Sequence, residues 1–257
     1  MTARIVTTLD DRPEGRVARI TVSNPAKLNV LNAAAMAALA AALQVLAGDH
    51  RLRVVVLAGD GERAFIGGAD IAEMAALDRD GAREIIAALH GVCDAIRSLP
   101  VPVVARLQGW TIGAGLLIAA ACDLRVAAGG ALFAMPDVRM GIPSAAEAAL
   151  LPLLIGWGRT RRLLLTGEPI DAATALAWGL VEEVVPSEEL TRAVARVVGD
   201  VLAAGPQAIR RQKALLRDWE ELLPAGAIAH GIAAFAGAWD TEEPGSRMRA
   251  FLAARRA

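Results

Sequence analysis

The hydrophobic positions of the first half of the chain follow two different periods. Compact β-branched or apolar runs predict strands at residues 5–7, 17–22, 54–58, 101–107, 124–127 and 131–134. Apolar residues at helical spacing predict helices at residues 33–47 and 81–99, and Asn32 is the expected N-cap of the first. Residues 61–70 are predicted to form a loop. Because strands and helices alternate without a long charged block, the pattern indicates a layered α/β core.

From residue 145 onward the pattern is mostly helical. Helices are predicted at residues 145–154, 160–165, 172–178, 187–204, 208–223 and 227–239. Glycines and prolines separate them, and neither an internal repeat nor a low-complexity linker is present. The chain therefore divides into a spiral α/β core over residues 1–190 and a helical C-terminal region over residues 191–257. We expect the second region to pack against a partner subunit.

The composition argues against several classes of protein. A hydrophobic share of 55% in 257 residues predicts a folded chain with a sizeable core. Lys+Arg 27 against Asp+Glu 28 gives a net charge of -1, which offers no electrostatic basis for a nucleic-acid or anionic-membrane partner. The longest apolar run, residues 112–122, is shorter than the roughly 20 residues that cross a bilayer. Because no signal-peptide pattern is visible, we expect a cytoplasmic protein.

Candidate metal ligands are few and scattered. The two cysteines, Cys93 and Cys122, have no metal-ligand spacing, and the histidines His50, His90 and His230 are far apart. The sequence also lacks a dinucleotide-binding fingerprint. We therefore expect neither a metal nor a redox cofactor. We expect His90, which lies on an amphipathic helix, to pack against the core.

Two turns of small residues carry the candidate chemistry. Residues 67–71 (Gly-Gly-Ala-Asp-Ile) follow a predicted strand, and residues 109–115 open an alanine-rich helix. Glycine lets the backbone approach a ligand closely, and free N–H groups at a helix start attract negative charge. Two such turns can aim two backbone N–H groups at one oxygen and stabilise an enolate or a tetrahedral anion. Close packing of helix on sheet is the alternative explanation of the same glycines.

These turns belong to a longer series of segments that carries a resemblance to a known family. The segments are, in order, residues 24–32, 67–71, 109–123, 133–137, 140–143, 165–170, 175–185 and 249–252. Together they resemble the enoyl-CoA hydratase/isomerase (crotonase) superfamily over nearly the whole chain. The resemblance implies an α/β fold, a crotonase-type spiral of ββα units, with C-terminal helices that build a homotrimer or a dimer of trimers. It also implies an acyl-CoA thioester as substrate.

The resemblance assigns roles to particular backbone groups and side chains. The oxyanion hole falls on the N–H groups of Ala69 and Ala114. Residues expected to bind the CoA portion are Lys27, Leu28, Ala69, Asp70 and Ile71. For Lys27, contact with a CoA phosphate and a solvated surface charge are equal alternatives. Residues expected to line the acyl pocket are Trp110 and Leu117.

The catalytic carboxylates are where this chain departs from the family pattern. Family hydratases use two glutamates to position and split water; the first falls on Leu117 and the second on Asp137. Hydration needs both a base for water and an acid for carbon, so a missing carboxylate matters. Glu147, ten residues after Asp137 in an otherwise apolar run, is the candidate substitute. A favourable position at a helix N-terminus is the alternative reason for Glu147.

Two hypotheses about function follow from these residues. The first is an enzyme that isomerises the double bond of an enoyl-CoA, because one acid, Asp137, can move a proton between two carbons of a dienolate. Hydration of a 2-enoyl-CoA is its close rival, with Glu147 as the second acid. The second hypothesis is a non-catalytic acyl-CoA-binding homologue, and Leu117 is the reason to consider it.

Overall fold

The computed structural model describes residues 2–221 and Gly237. The strands are β1 (Arg4–Arg12), β2 (Gly15–Ser23), β3 (Leu52–Gly59), β4 (Ala64–Ile66), β5 (Val103–Leu107), β6 (Trp110–Ile112), β7 (Leu124–Ala128), β8 (Leu132–Ala134), β9 (Ile170–Asp171) and β10 (Glu183–Val185). The α-helices are α1 (Ala33–Ala47), α2 (Ile71–Met74), α3 (Arg79–Ser98), α4 (Ala114–Ala121), α5 (Leu151–Thr166), α6 (Ala172–Trp178), α7 (Leu190–Ala203) and α8 (Pro206–Glu221). Four 3₁₀ helices are Pro25–Lys27, Asp137–Met140, Ala146–Leu150 and Ser187–Glu189.

The described strands form two sheets that the chain visits alternately. The larger sheet has the order β1-β2-β3-β5-β7-β10 and is parallel except for the β1–β2 hairpin. The smaller sheet has the order β4-β6-β8-β9 and is antiparallel only between β8 and β9. Strands β3, β5 and β7 are each followed by a strand of the smaller sheet, and helices follow the first two pairs. This repeat confirms the predicted spiral of ββα units.

The larger sheet is covered on both faces. Helices α1, α3 and α4 contribute to the main core on one face, and α7 packs against the other. Every residue of β3 is buried as a result, which explains its continuous apolar run in the sequence. Val194 and Val198 of α7 share a cluster with Val54 and Val56 of β3. Helix α7, the first helix of the C-terminal region, therefore covers one face of the larger sheet. The division of the chain at residue 190 stays a prediction.

Most predicted helices are confirmed, with shifts at their ends. Helices α1 and α6 match the predicted bounds, and the side chain of Asn32 caps α1 by accepting from the Ala35 N–H at 2.9 Å. The predicted helix at residues 145–154 is wrong in part, because it begins as the 3₁₀ helix Ala146–Leu150. Helix α5 then continues to Thr166 with non-helical dihedrals at Gly156, where φ is 77°. The predicted helix at residues 227–239 lies outside the described residues, apart from Gly237.

Four short strands, β4, β6, β9 and β10, were missed by the sequence pattern. Strand β4 lies inside the segment predicted to be a loop, and β6 precedes α4 where only a turn was expected. Both are three residues long and pair in parallel within the smaller sheet. This pairing sets the two small-residue turns side by side, because the first turn follows β4 and the second contains β6.

Two features are absent from the described residues. None of the helices there combines the length and the apolar character that a bilayer crossing needs. Over the same residues, no group of three or more His, Cys, Asp and Glu side chains could hold a metal ion.

Candidate active site

A cavity of about 310 Å³ lies between the two small-residue turns and helix α3. Its walls are largely apolar, and α3 contributes Ile85, Ile86 and Leu89. Among the described residues, Asp137 is the single ionisable side chain in the lining. A larger cavity of about 540 Å³ lies beside α8, is lined by the paired Asp123 and Lys213, and contains none of the predicted site residues. The chemistry suggested by the sequence therefore belongs to the smaller cavity.

The first turn leaves the N–H of Ala69 free at the cavity. Gly68, with φ at 109°, accepts from the Leu31 N–H at 2.9 Å, and the Asp70 N–H donates to the Leu31 carbonyl at 2.8 Å. These two bonds lie on either side of Ala69, whose own N–H has no acceptor among the described residues. Ala69 lines the cavity, so this donor is available to a ligand.

The second turn presents the N–H of Ala114 in the same way. Ala114 is the first residue of α4, so its N–H has no acceptor within the helix. Gly113 holds the turn with φ at 49°, and its N–H donates to the Ala134 carbonyl at 2.9 Å. A β-carbon on Gly115 would lie 2.1 Å from the Ile66 carbonyl oxygen, so only glycine allows α4 to sit this close to β4. Both turns therefore open into one cavity.

Asp137 stands beside the second turn. It begins the 3₁₀ helix Asp137–Met140 and is half-buried. The Ser144 hydroxyl donates to its Oδ2 at 2.6 Å. A β-carbon on Gly113 would come within 3.6 Å of its Oδ1. One oxygen of the carboxylate is thus held by a serine, while the other faces the turn that carries the free N–H of Ala114.

Leu117 forms part of the cavity wall, one turn into α4. Its side chain is 2% exposed and contacts the cavity. The position where the resemblance places a first glutamate is therefore an apolar surface. Asp137 has no second carboxylate facing it across the described lining.

Glu147 lies outside the cavity lining, between α3 and α4. Its residue exposure is 5%, and its Oε1 is 2.7 Å from Nδ1 of His90, while Oε2 has no hydrogen-bond partner. Burial raises the pKa of the neighbouring Cys93 thiol, and the Glu147 carboxylate raises it further. His90 does not pack in the core as expected; its side chain is 62% exposed and pairs with Glu147.

A family model decides which family this arrangement represents. The model described as enoyl-CoA hydratase/isomerase matches residues 12–252. The chain belongs to the enoyl-CoA hydratase/isomerase family. As a member of this family it is an enzyme, and the family name covers two reactions, hydration and isomerisation.

Individual members of the enoyl-CoA hydratase/isomerase family match almost the whole chain. The crotonyl-CoA hydratase of Syntrophomonas wolfei is 33% identical, over 95% of this chain and 94% of the relative. The short-chain-enoyl-CoA hydratase of Clostridium acetobutylicum is 31% identical over 95% and 94%. A crystal structure of enoyl-CoA hydratase from Mycobacterium smegmatis superposes with a TM-score of 0.91 at 32% identity, over 96% of this chain and 95% of that one. These matches confirm the crotonase-type fold.

The residues that the family resemblance assigns to the CoA portion lie around the first turn. Leu28, in a left-handed conformation with φ at 55°, accepts from the Gly67 N–H at 2.8 Å and so fixes its loop on this turn. Lys27 is exposed, and Ile71 is exposed while also lining the cavity. Asp70 caps α2 by accepting from the Ala72 N–H at 3.0 Å. Trp110 is half-buried on β6 and does not line the cavity, so the structure does not bring it to the predicted pocket.

Sequence reasoning did not identify Ser144 or the pairing of His90 with Glu147. Ser144 lies in an irregular segment after a glycine and a proline, and a serine there is typical of any turn. His90 and Glu147 are 57 residues apart, and only the packing of the segment after β8 against α3 brings them together. The sequence signal for the pair was the lone acid in an apolar run at Glu147.

Proposed function

We propose that the protein isomerises the double bond of an enoyl-CoA thioester by moving one proton between two carbons. The observation that carries this proposal is that, within residues 2–221, Asp137 is the one carboxylate lining an apolar cavity bounded by two turns with free N–H groups. Such a site can stabilise an enolate and exchange one proton with it. The described lining offers no second acid or base for activating water.

The two backbone donors would act on the thioester oxygen. With that oxygen between the N–H groups of Ala69 and Ala114, negative charge that develops as the α-proton leaves meets two preorganised dipoles. Removing one donor of such a hole typically costs about 3–4 kcal/mol of transition-state stabilisation. The apolar lining strengthens the effect, because charges interact more strongly away from water.

Asp137 would carry the proton. Its carboxylate removes a proton from C2 of a 3-enoyl thioester, and the electron pair passes into the dienolate. The carboxyl group then returns the proton to C4, which gives the conjugated 2-enoyl thioester and restores the carboxylate. The hydrogen bond from Ser144 to Oδ2 leaves Oδ1, on the side of the second turn, for this transfer. No water is consumed.

The CoA portion would lie outside the cavity, along the loop and turn that precede α2. Leu28, Ala69, Asp70 and Ile71 border this path, and the exposed ammonium of Lys27 would meet a phosphate. The reaction as proposed needs neither a metal nor a redox cofactor. Family membership also motivates the proposal that the helical region at residues 191–257 assembles a homotrimer or a dimer of trimers.

Hydration is the second candidate, and the names of the relatives favour it. The match to this chain covers 94% of the length of the crotonyl-CoA hydratase and 94% of the length of the short-chain-enoyl-CoA hydratase. For hydration here, Glu147 would have to leave His90 and reach the cavity, or Asp137 would have to serve both as base and as acid. A non-catalytic acyl-CoA-binding protein is the third candidate, since Leu117 replaces a group that hydratases use.

Incubation in heavy water separates the three candidates. The purified protein is mixed with crotonyl-CoA or with a 3-enoyl-CoA, and the products are analysed by mass spectrometry. We expect the 3-enoyl-CoA to become conjugated without gaining water, with deuterium entering the acyl chain. A product that gains water would support hydration instead of isomerisation. If no acyl-CoA that binds exchanges deuterium, the result would favour a non-catalytic protein.

The variant Asp137→Ala tests the role of the carboxylate in the same assay. We expect turnover and deuterium exchange to fall by about 10²–10⁴-fold, the usual contribution of a positioned acid–base group. Binding of the acyl-CoA, measured by isothermal titration calorimetry, should persist because the backbone donors and the apolar walls remain. Unchanged exchange in this variant would remove Asp137 from the mechanism.

A further inference from the structure

The buried pair of Glu147 and His90 has no part in the proposed proton transfer. Glu147 is 5% exposed, and its Oε1 contacts Nδ1 of His90 at 2.7 Å. Its Oε2 is buried without a hydrogen-bond partner. An unsatisfied buried acceptor costs free energy, so its presence calls for a reason. The pair does not line the cavity, and that reason is therefore not contact with the acyl chain.

The pair joins the two walls of the cavity. On one side, His90 follows Leu89 on α3, and Leu89 lines the cavity. On the other side, Glu147 follows Ser144 by three residues, and Ser144 donates to Asp137 at 2.6 Å. Two side-chain contacts, Ser144 to Asp137 and Glu147 to His90, thus hold the short segment after the 3₁₀ helix Asp137–Met140.

Backbone hydrogen bonds from this segment to the preceding 3₁₀ helix are made only at its start, where the Gly141 and Ile142 N–H groups donate to the Val138 and Asp137 carbonyls at 3.3 and 3.2 Å. Residues 141–145 form neither helix nor strand, and most of them are exposed. Ala146 has φ at 51°, in the left-handed region that a β-carbon disfavours. A residue with a side chain keeps this conformation only where its surroundings impose it. The next residue, Glu147, supplies such a constraint through its buried carboxylate.

We propose that His90 and Glu147 are positioning residues, which fasten the segment carrying Ser144 to α3 and thereby hold Asp137 against the second turn. This inference rests on the proposed role of Asp137 as the proton carrier. Proton transfer depends steeply on the placement of the base, so loosening this attachment lowers the rate of transfer more than the affinity for acyl-CoA.

Three variants on α3 test the attachment. His90→Ala removes the partner of the buried Glu147 at a position that is itself 62% exposed. His90→Asn keeps an N–H donor close to the place of Nδ1. Glu84→Ala, at another exposed position of the same helix, is the matched control. Kinetics of the 3-enoyl-CoA reaction give kcat and KM, and hydrogen–deuterium exchange of the protein reports on residues 138–148.

We expect His90→Ala to lower kcat about tenfold or more, with KM within about twofold of the wild-type value. His90→Asn should recover most of the lost kcat, and Glu84→Ala should match the wild type. In His90→Ala alone, amide exchange should accelerate in residues 138–148, where the Ile142 and Ala148 N–H groups are hydrogen-bonded at 3.2 and 3.1 Å. Combining His90→Ala with Ser144→Ala should slow the reaction no further than Ser144→Ala does, because both act through one attachment.

Different experimental results would contradict this inference and the proposed function. Unchanged amide exchange in His90→Ala overturns the attachment, whatever the activity. Additive losses of kcat in the double variant overturn the route through Ser144. If the wild-type protein transfers no proton, the proposed function is overturned instead. The attachment is still supported in that case if His90→Ala accelerates amide exchange in residues 138–148.

Discussion

Leu117 is the residue at which this chain differs most consequentially from the two-carboxylate arrangement of the family hydratases. It lines the cavity from the first turns of α4, on the helix whose N-terminal N–H faces the same space. An apolar side chain there cannot exchange a proton, so Asp137 is the single ionisable side chain in the described lining. The residue therefore offers a direct test of the proposed isomerisation by a single acid.

We predict that Leu117→Glu gives the protein the ability to add water to crotonyl-CoA. The new carboxylate would enter the cavity near Asp137 and supply the second acid–base group, which typically contributes about 10²–10⁴-fold to the rate. Leu117→Gln is the matched control, since it has nearly the same shape and cannot transfer a proton. Loss of the enoyl absorbance and a gain in product mass measure the reaction. Equal rates in the two variants would contradict the prediction.

The sequence contains a local signal for the two turns but none for the side-chain contacts around them. Glycines next to a helix start mark both turns along the chain, whereas the choice of Ala69 and Ala114 within them came from the family resemblance and stays a prediction. The hydrogen-bond partner of a side chain depends on where distant elements pack, and no local sequence pattern predicts it. The Ser144–Asp137 contact and the Glu147–His90 pair for this reason required the structure.

At the level of elements, the long buried strands were easier to predict than the short ones, although the three-residue β8 was also predicted. Strand β3 has eight buried residues and a clear apolar run, whereas β4 and β6 have three residues each. Three residues show no period, and their strand conformation comes from pairing with each other and with β8. The smaller sheet is nonetheless the element that brings both turns to one cavity.

The contact between α4 and β4 gives a prediction about Gly115. In Gly115→Ala, the new β-carbon would lie 2.1 Å from the Ile66 carbonyl oxygen, so α4 must move away from β4. We expect a loss of about 1–3 kcal/mol in the free energy of unfolding, as for other overpacked sites. Because α4 carries the Ala114 N–H, deuterium exchange into a bound acyl-CoA should also fall. Urea unfolding and the exchange assay measure the two effects.

Gly199→Ala is the matched control for that substitution. Gly199 lies on the exposed side of α7, and a β-carbon there meets nothing within 4 Å. Alanine in a helix interior is favoured over glycine by about 0.5–1 kcal/mol, so this variant should be slightly more stable and fully active. If Gly115→Ala were as stable and as active as Gly199→Ala, the close approach of α4 to β4 would not matter for the site.

On the scale of the whole molecule, a buried ammonium attaches α8 to the core. Nζ of Lys213 donates to the Ile96 and Val101 carbonyls at 3.0 Å and to Oδ2 of Asp123 at 2.7 Å. Burial lowers the pKa of Lys213, and the neighbouring Asp123 offsets only part of that effect. The same carboxylate oxygen accepts from the Val103 N–H at the start of β5. One charge thus connects α8, the end of α3 and the larger sheet.

We predict that Lys213→Met lowers the free energy of unfolding by about 3–5 kcal/mol, the usual cost of removing one partner of a buried ion pair. The two carbonyls would lose their donor, and Asp123 would keep a poorly compensated charge. The other lysine of the chain, Lys27, is exposed, so Lys27→Met should change stability by no more than about 0.5 kcal/mol. Adding Asp123→Asn to Lys213→Met should recover part of the loss, because an amide oxygen still accepts from Val103 without burying a charge. Urea unfolding of the four proteins measures this, and an equally small effect of both lysine substitutions would mean that apolar packing alone holds α8 on the core.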